Sequence, residues 1–102
     1  MKYILLIEDT KDVSRKGKIR FKSLDEVVEH VQWIVLNGIV DELYELALQD
    51  DPSSWKDQIE RVYELAQTAR KARTEEEIGA VLEEWNDLVN DNVFNEKLEL
   101  IS

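Results

Sequence analysis

Apolar positions recur along this chain with a period of two near its ends and of 3.6 through its middle. The longest stretch in which start, period and stop agree runs from Ser23 to Gly38, SLDEVVEHVQWIVLNG. Ser23 and Glu26 form an S-x-x-E capping box, in which hydroxyl and carboxylate each accept from a free backbone N–H of the first turn. Leu24, Val27, Val28, Val31, Ile34 and Val35 then fall on one stripe at roughly 100° per residue, which faces the core. Asn37-Gly38 tolerates positive φ, so the pattern predicts a left-handed cap there and a restart at Ile39. The alternative is one continuous helix that carries a glycine. Trp33 breaks the stripe: it stands about opposite, among Glu26, Glu29, His30 and Asn37. Either this helix is covered on both sides, or Trp33 is an aromatic anchor on an acidic surface, the kind of residue that dominates interfaces.

The flanking segments follow from the same rules. Lys2 to Glu8 is a short run rich in β-formers and apolar on both faces, which predicts a central strand. Asp9 to Gly17 has no period and is a loop. Lys18 to Lys22 alternates, with Ile19 and Phe21 on one side and Lys18, Arg20 and Lys22 on the other. It reads as an edge strand whose lysines discourage further pairing, or as a phosphate-binding surface. Ile39 to Gln49 predicts a second helix with an apolar arc of Ile39, Val40, Leu43, Leu46 and Ala47, and with Asp41, Glu42 and Glu45 on its other side. Asp51-Pro52 suits the start of a third, Asp as N-cap and Pro in the first turn, followed by a seam of Trp55, Ile59, Val62, Ala66 and Ala69. Asp57/Arg61 and Lys56/Glu60 are i,i+4 pairs on its solvated side. Thr74 and Glu77 form another capping box, and Ile78, Val81, Leu82, Trp85, Leu88 and Val89 make the core stripe of a fourth helix to Asn90. Asn90-Asp91-Asn92 is a turn, and Glu96 to Ile101 is a last strand.

These elements predict an α+β chain in the order ββααααβ: a small antiparallel sheet of about three strands, the first central and the last beside it, packed on about four amphipathic helices. The 102 residues make a single domain, with a basic hairpin over 1–23, a helical section over 24–92 and the C-terminal strand over 93–102.

Charge sharpens this picture. The net charge of −10 is segregated by element. Residues 1–23 carry seven Lys/Arg against three Asp/Glu; residues 24–50 carry seven acids and no Lys/Arg; residues 74–102 carry nine acids and one Lys. In the fourth helix Glu83, Asp87 and Asp91 form a like-charge ladder with no lysine or arginine to relieve it. Such a field repels phosphates and speeds encounters with basic partners, so direct nucleic-acid binding by the helices is not expected.

Candidate chemistry is sparse. Glycine stands only at 17, 38 and 79, so no phosphate-cradling glycine loop exists. One histidine, His30, and no cysteine leave neither a nucleophile triad nor a paired Glu-x-x-His metal motif. No catalytic residue, cofactor or metal is expected. No apolar run approaches the roughly 18 residues of a membrane span, and no leader pattern opens the chain, so no membrane association and a cytoplasmic location are the expectation.

What remains is a small acidic, non-enzymatic binding or regulatory protein. It would be an inhibitor or nucleic-acid mimic of the kind mobile elements such as phages carry, docking an acidic helical face on a basic partner such as a nucleic-acid-processing protein. The residues for that role are Trp33, Glu26, Glu29, Asp41 and Glu45, with Glu76, Glu83, Glu84, Asp87 and Asp91. Two alternatives are a homo-oligomer, a homodimer included, in which basic hairpin meets acidic helix, and a nucleic-acid-contacting module using Lys16, Lys18, Arg20 and Lys22. The second is weakened because Phe21 shares the inward face with Ile19 and is not free for base stacking.

Overall fold

The computed structural model describes residues 3–12, 14–48 and 56–101. Its elements are β1 (Tyr3–Asp9), β2 (Lys16–Phe21), α1 (Leu24–Ala47), α2 (Lys56–Lys71), α3 (Glu75–Asn90) and β3 (Glu96–Ile101). Lys2, the Asp51-Pro52 helix start, Trp55 and the side chain of Leu46 lie outside the described residues.

β1 is central, flanked antiparallel by β2 and β3 in the order β2-β1-β3. The pleat sorts the side chains. Tyr3, Leu5 and Ile7 share the inward face with Ile19 and Phe21 of β2 and with Leu98 and Leu100 of β3, and all belong to the core. Ile4 and Leu6 take the outward face, apart from the core cluster. β2 begins at Lys16, two residues before the strict alternation, because Lys16 and Gly17 pair with Glu8 and Ile7. The hairpin loop is closed by Asp9, whose carboxylate accepts from the N–H of Lys11 at 2.8 Å and of Asp12 at 3.3 Å.

One expectation about the helices is overturned. Among the described residues there are three helices, in the order ββαααβ. α1 runs unbroken through Asn37-Gly38, and Gly38 does not adopt positive φ. The reason is packing. A Cβ on Gly38 would lie 2.5 Å from Cη2 and 2.8 Å from Cζ3 of the Trp85 indole, so the glycine is there to let α3 close on the backbone of α1.

The capping boxes are both present in some form. Thr74 and Glu77 satisfy each other's backbone N–H in full. At α1 the Ser23 hydroxyl accepts from Glu26 N–H at 3.3 Å, but the Glu26 carboxylate accepts from Lys22 N–H, one residue before the cap. α3 ends as its sequence demands: Asn92 takes φ 64°, while Asn92 N–H and Val93 N–H return to the carbonyls of Val89 and Leu88. This turn delivers Phe94 onto Trp85, ring centroids 4.0 Å apart and 7° from parallel.

α3 also shields a sheet edge. The Asn86 carboxamide donates to Leu98 C=O at 2.7 Å and accepts from Leu98 N–H at 3.0 Å, and Trp85 Nε1 donates to Glu96 C=O at 2.7 Å. Backbone groups of β3 that would recruit another strand are thereby occupied. Among the described residues no side chain bonds the outer edge of β2 in this way, and that strand carries exposed Lys16, Lys18 and Arg20.

Candidate protein-docking site

α1 is apolar on both sides. Val27, Val28, Val31, Val35 and Ile39 are buried. On the opposite side Trp33, Leu36, Val40, Leu43 and Ala47 alternate steps of three and four, the spacing of a helix–helix seam. They are open to solvent. Trp33 is 62%, Val40 65% and the adjoining Tyr44 67% exposed. Of the described side chains in the arc expected over residues 39 to 47, Ile39 is buried, whereas Val40, Leu43 and Ala47 face out. The continuous helix explains this. Without a break at Gly38, the second half keeps the phase of the first, so its apolar arc falls in line with Trp33 and away from the core. Length adds to the effect: 24 residues rise about 36 Å, whereas a seven-residue strand spans only about 23 Å.

Beside this stripe lies a cleft of about 780 Å³ between α1 and the Asn92–Glu96 segment. One wall is Trp33, Asn37, Asp41 and Glu45, four residues apart along α1. Gly38 and the stacked Trp85 and Phe94 line it too, together with Glu42, Gln58 and Glu96, and among the described residues Lys11 is its single cation. Glu42 accepts a hydrogen bond from Gln58 Nε2. Burial pushes its carboxyl above the ordinary range, the Gln58 hydrogen bond opposes that, and the neighbouring Glu45 charge adds to it. A second, shallower hollow is lined by Phe21, Glu26, Glu29, His30 and Trp33. His30 bridges its aromatics, with its ring centroid 5.3 Å from Phe21 and 5.8 Å from Trp33. Trp33 is the partition shared by both hollows.

The structure therefore unites five of the candidate residues, Glu26, Glu29, Trp33, Asp41 and Glu45, along α1. It does not unite them with the acids of α3. Glu76, Glu83, Glu84, Asp87 and Asp91 line neither hollow, and the last of them is neutralised: Arg61 of α2 reaches Asp91 at 2.8 Å. The expected Asp57/Arg61 pair does not form, because Arg61 turns across to α3, and no Lys56/Glu60 pair forms among the described residues either. Lys16, Lys18 and Arg20 are exposed on β2, and Lys22 is exposed in the turn before α1. The residues that sequence reasoning missed are Leu36, Tyr44, Glu42 and Glu96. Leu36 is legible in the 33-36-40-43-47 spacing and Tyr44 adjoins it, one turn from Val40, but a helix break at Gly38 conceals that line.

Glu84 shows what the acidic face of α3 costs. Burial, then the Glu64 and Asp87 carboxylates, hold it above the ordinary carboxylate range. A raised folded pKa favours the protonated form, so its stabilising share is complete at low pH and is lost as pH rises through the folded pKa. Glu84→Gln is expected to stabilise the protein at pH 7.5 by a few tenths of a kcal/mol, the worth of a like-charge helix pair. In urea titrations that advantage shrinks toward pH 4. Glu77 works oppositely: the Thr74 hydroxyl, then the Arg73 and Thr74 N–H groups, hold it below the ordinary range, so its share is lost only in stronger acid.

Among the described residues no three His, Cys, Asp or Glu side chains converge as a metal site would require, and no helix is long and apolar enough to cross a membrane. Compared with known protein families, curated proteins and solved structures, the chain matches none.

Proposed function

We propose that this protein is a non-enzymatic docking domain that binds and regulates a basic protein through the outward face of α1. The observation that carries the reading is the single face on which Trp33, Leu36, Val40, Leu43 and Tyr44 stand exposed beside the carboxylates of Glu29, Asp41 and Glu45. Exposed aromatics at the centre of a charged rim are what an interface needs: the rings supply area at low entropic cost, and the acids steer a positive surface into place. A partner that handles nucleic acid presents such a surface, since it must neutralise phosphates. The ladder of α3 is the weaker candidate, because it lacks an aromatic centre and Asp91 already pairs with Arg61.

The experiment is affinity capture from host lysate, followed by titration of the captured protein against purified variants. Trp33→Ala and Tyr44→Ala are each expected to weaken binding by about 30-fold or more, the effect of losing a hot-spot residue worth about 2 kcal/mol. Asp41→Lys with Glu45→Lys is expected to slow association. Glu83→Lys with Asp87→Lys should leave affinity within about threefold. Loss of binding in the α3 variant with the α1 variants unaffected would move the site to α3 and overturn the reading.

A further inference from the structure

The outward face of the sheet is the second uncovered surface of the fold, and it is the chemical counterpart of the first. Cross-strand register sets Ile4 between Arg20 and Ile101, Leu6 between Lys18 and Glu99, and Glu8 between Lys16 and Lys97. Ile4 and Leu6 lie outside the core cluster, and Ile101 is exposed. Lys16, Lys18 and Arg20 occupy alternate positions of β2, hence one face of it, about 7 Å apart. Among the described residues, no ion pair engages any of these three cations or any acid of α1. The sheet thus carries an apolar strip bordered along β2 by a row of three cations and along β3 by Lys97 and Glu99, a face on which Lys16, Lys18, Arg20 and Lys97 outnumber Glu8 and Glu99, whereas the strip on α1 is rimmed by carboxylates.

We infer that these faces bind each other between copies, the sheet of one molecule receiving the outward α1 face of the next. The inference rests on α1 being a docking surface, as proposed above, but assigns it a different occupant. Electrostatics removes the other self-pairings. α1 against α1 would set acids against acids, since Leu24–Ala47 contains no Lys or Arg. β2 against β2 would oppose Lys16, Lys18 and Arg20 with themselves. β3 is occupied at Leu98 by Asn86. Helix on sheet repeats the layer that builds the monomer's own core. The lengths also agree: Trp33 to Tyr44 rises about 16 Å, within the span of a six- or seven-residue strand at about 3.3 Å per residue. Because the two faces differ, the contact is head to tail and propagates unless it closes into a ring.

Sedimentation velocity tests this on the full chain with two variants, Val40→Asp/Leu43→Asp on the helix and Lys18→Glu/Arg20→Glu on the sheet, each checked for unchanged circular dichroism and thermal unfolding. The wild type is expected to exceed monomer mass as its concentration rises. Each variant alone stays monomeric, and an equimolar mixture forms a dimer and no larger species, since each contributes the face the other lacks. A mixture that remains monomeric overturns the inference, as does association abolished by the helix variant and untouched by the sheet variant, which would indicate α1 pairing with itself. A wild type that is monomeric throughout overturns it as well. If Trp33→Ala still weakens capture of a basic protein in that case, the docking reading of α1 stands.

Discussion

Trp85→Ala is expected to lower the free energy of unfolding by about 3–5 kcal/mol, the usual cost of deleting a buried tryptophan and leaving its cavity. Three structural links fail together at this residue. The indole is 4% exposed, its Nε1 holds the Glu96 carbonyl at 2.7 Å, and its ring stacks on Phe94 at 4.0 Å. It also fills the notch at Gly38, so its loss unseats α3 from α1 and removes one side of the acidic cleft. For a domain of this size, each kcal/mol lowers the melting temperature by roughly 4–8 °C, so thermal unfolding followed by circular dichroism resolves the effect easily. A fall of only a few degrees would mean that Trp85 does not join the two helices.

Gly38→Ala separates the account from a local reading of the same residue. A glycine in the middle of an exposed helix is a defect, and alanine there would stabilise by about 1 kcal/mol. Here the added Cβ would meet Cη2 of Trp85 at 2.5 Å, against a ring pinned by its stack and its hydrogen bond. The overpacking penalty of about 1–3 kcal/mol outweighs the propensity gain, so the substitution is expected to destabilise. The sign should reverse in a Trp85→Leu background, where the six-membered ring is gone and the helix preference is left alone to act. A double-mutant cycle from urea titrations measures this coupling directly. Independent effects of the two substitutions would show that Gly38 and Trp85 are not in contact.

These two residues also mark the boundary of what was legible in the chain. Local rules sufficed wherever cause and effect lay within a few residues. The central position of β1 followed from its two apolar faces, the start of α3 from Thr74 and Glu77, and its end from Asn90-Asp91-Asn92, whose last member takes the left-handed conformation. The helix break predicted at Gly38 failed because the reason for that glycine sits on another helix. Arg61 shows the same limit, since its i,i+4 partner Asp57 was visible in sequence and its actual partner Asp91 was not. The docking face was half legible. Trp33 stood out as an aromatic among acids, with covered and open readings both available, and the structure leaves it open. Local rules place its companions Val40 and Leu43 on a separate helix, and only the unbroken backbone of α1 brings them into its line.

The measurement that tests the central claim most directly is site-specific photo-crosslinking in host lysate, with a photoreactive phenylalanine analogue at Val40 in one protein and at Asp87 in another. Both positions are exposed, so the two probes differ only in the face they report. The account predicts that the Val40 probe captures a basic protein, that excess unlabelled wild type suppresses the crosslink, and that excess Trp33→Ala/Tyr44→Ala protein does not. Capture from Asp87 with none from Val40 would contradict it and place the binding surface on α3.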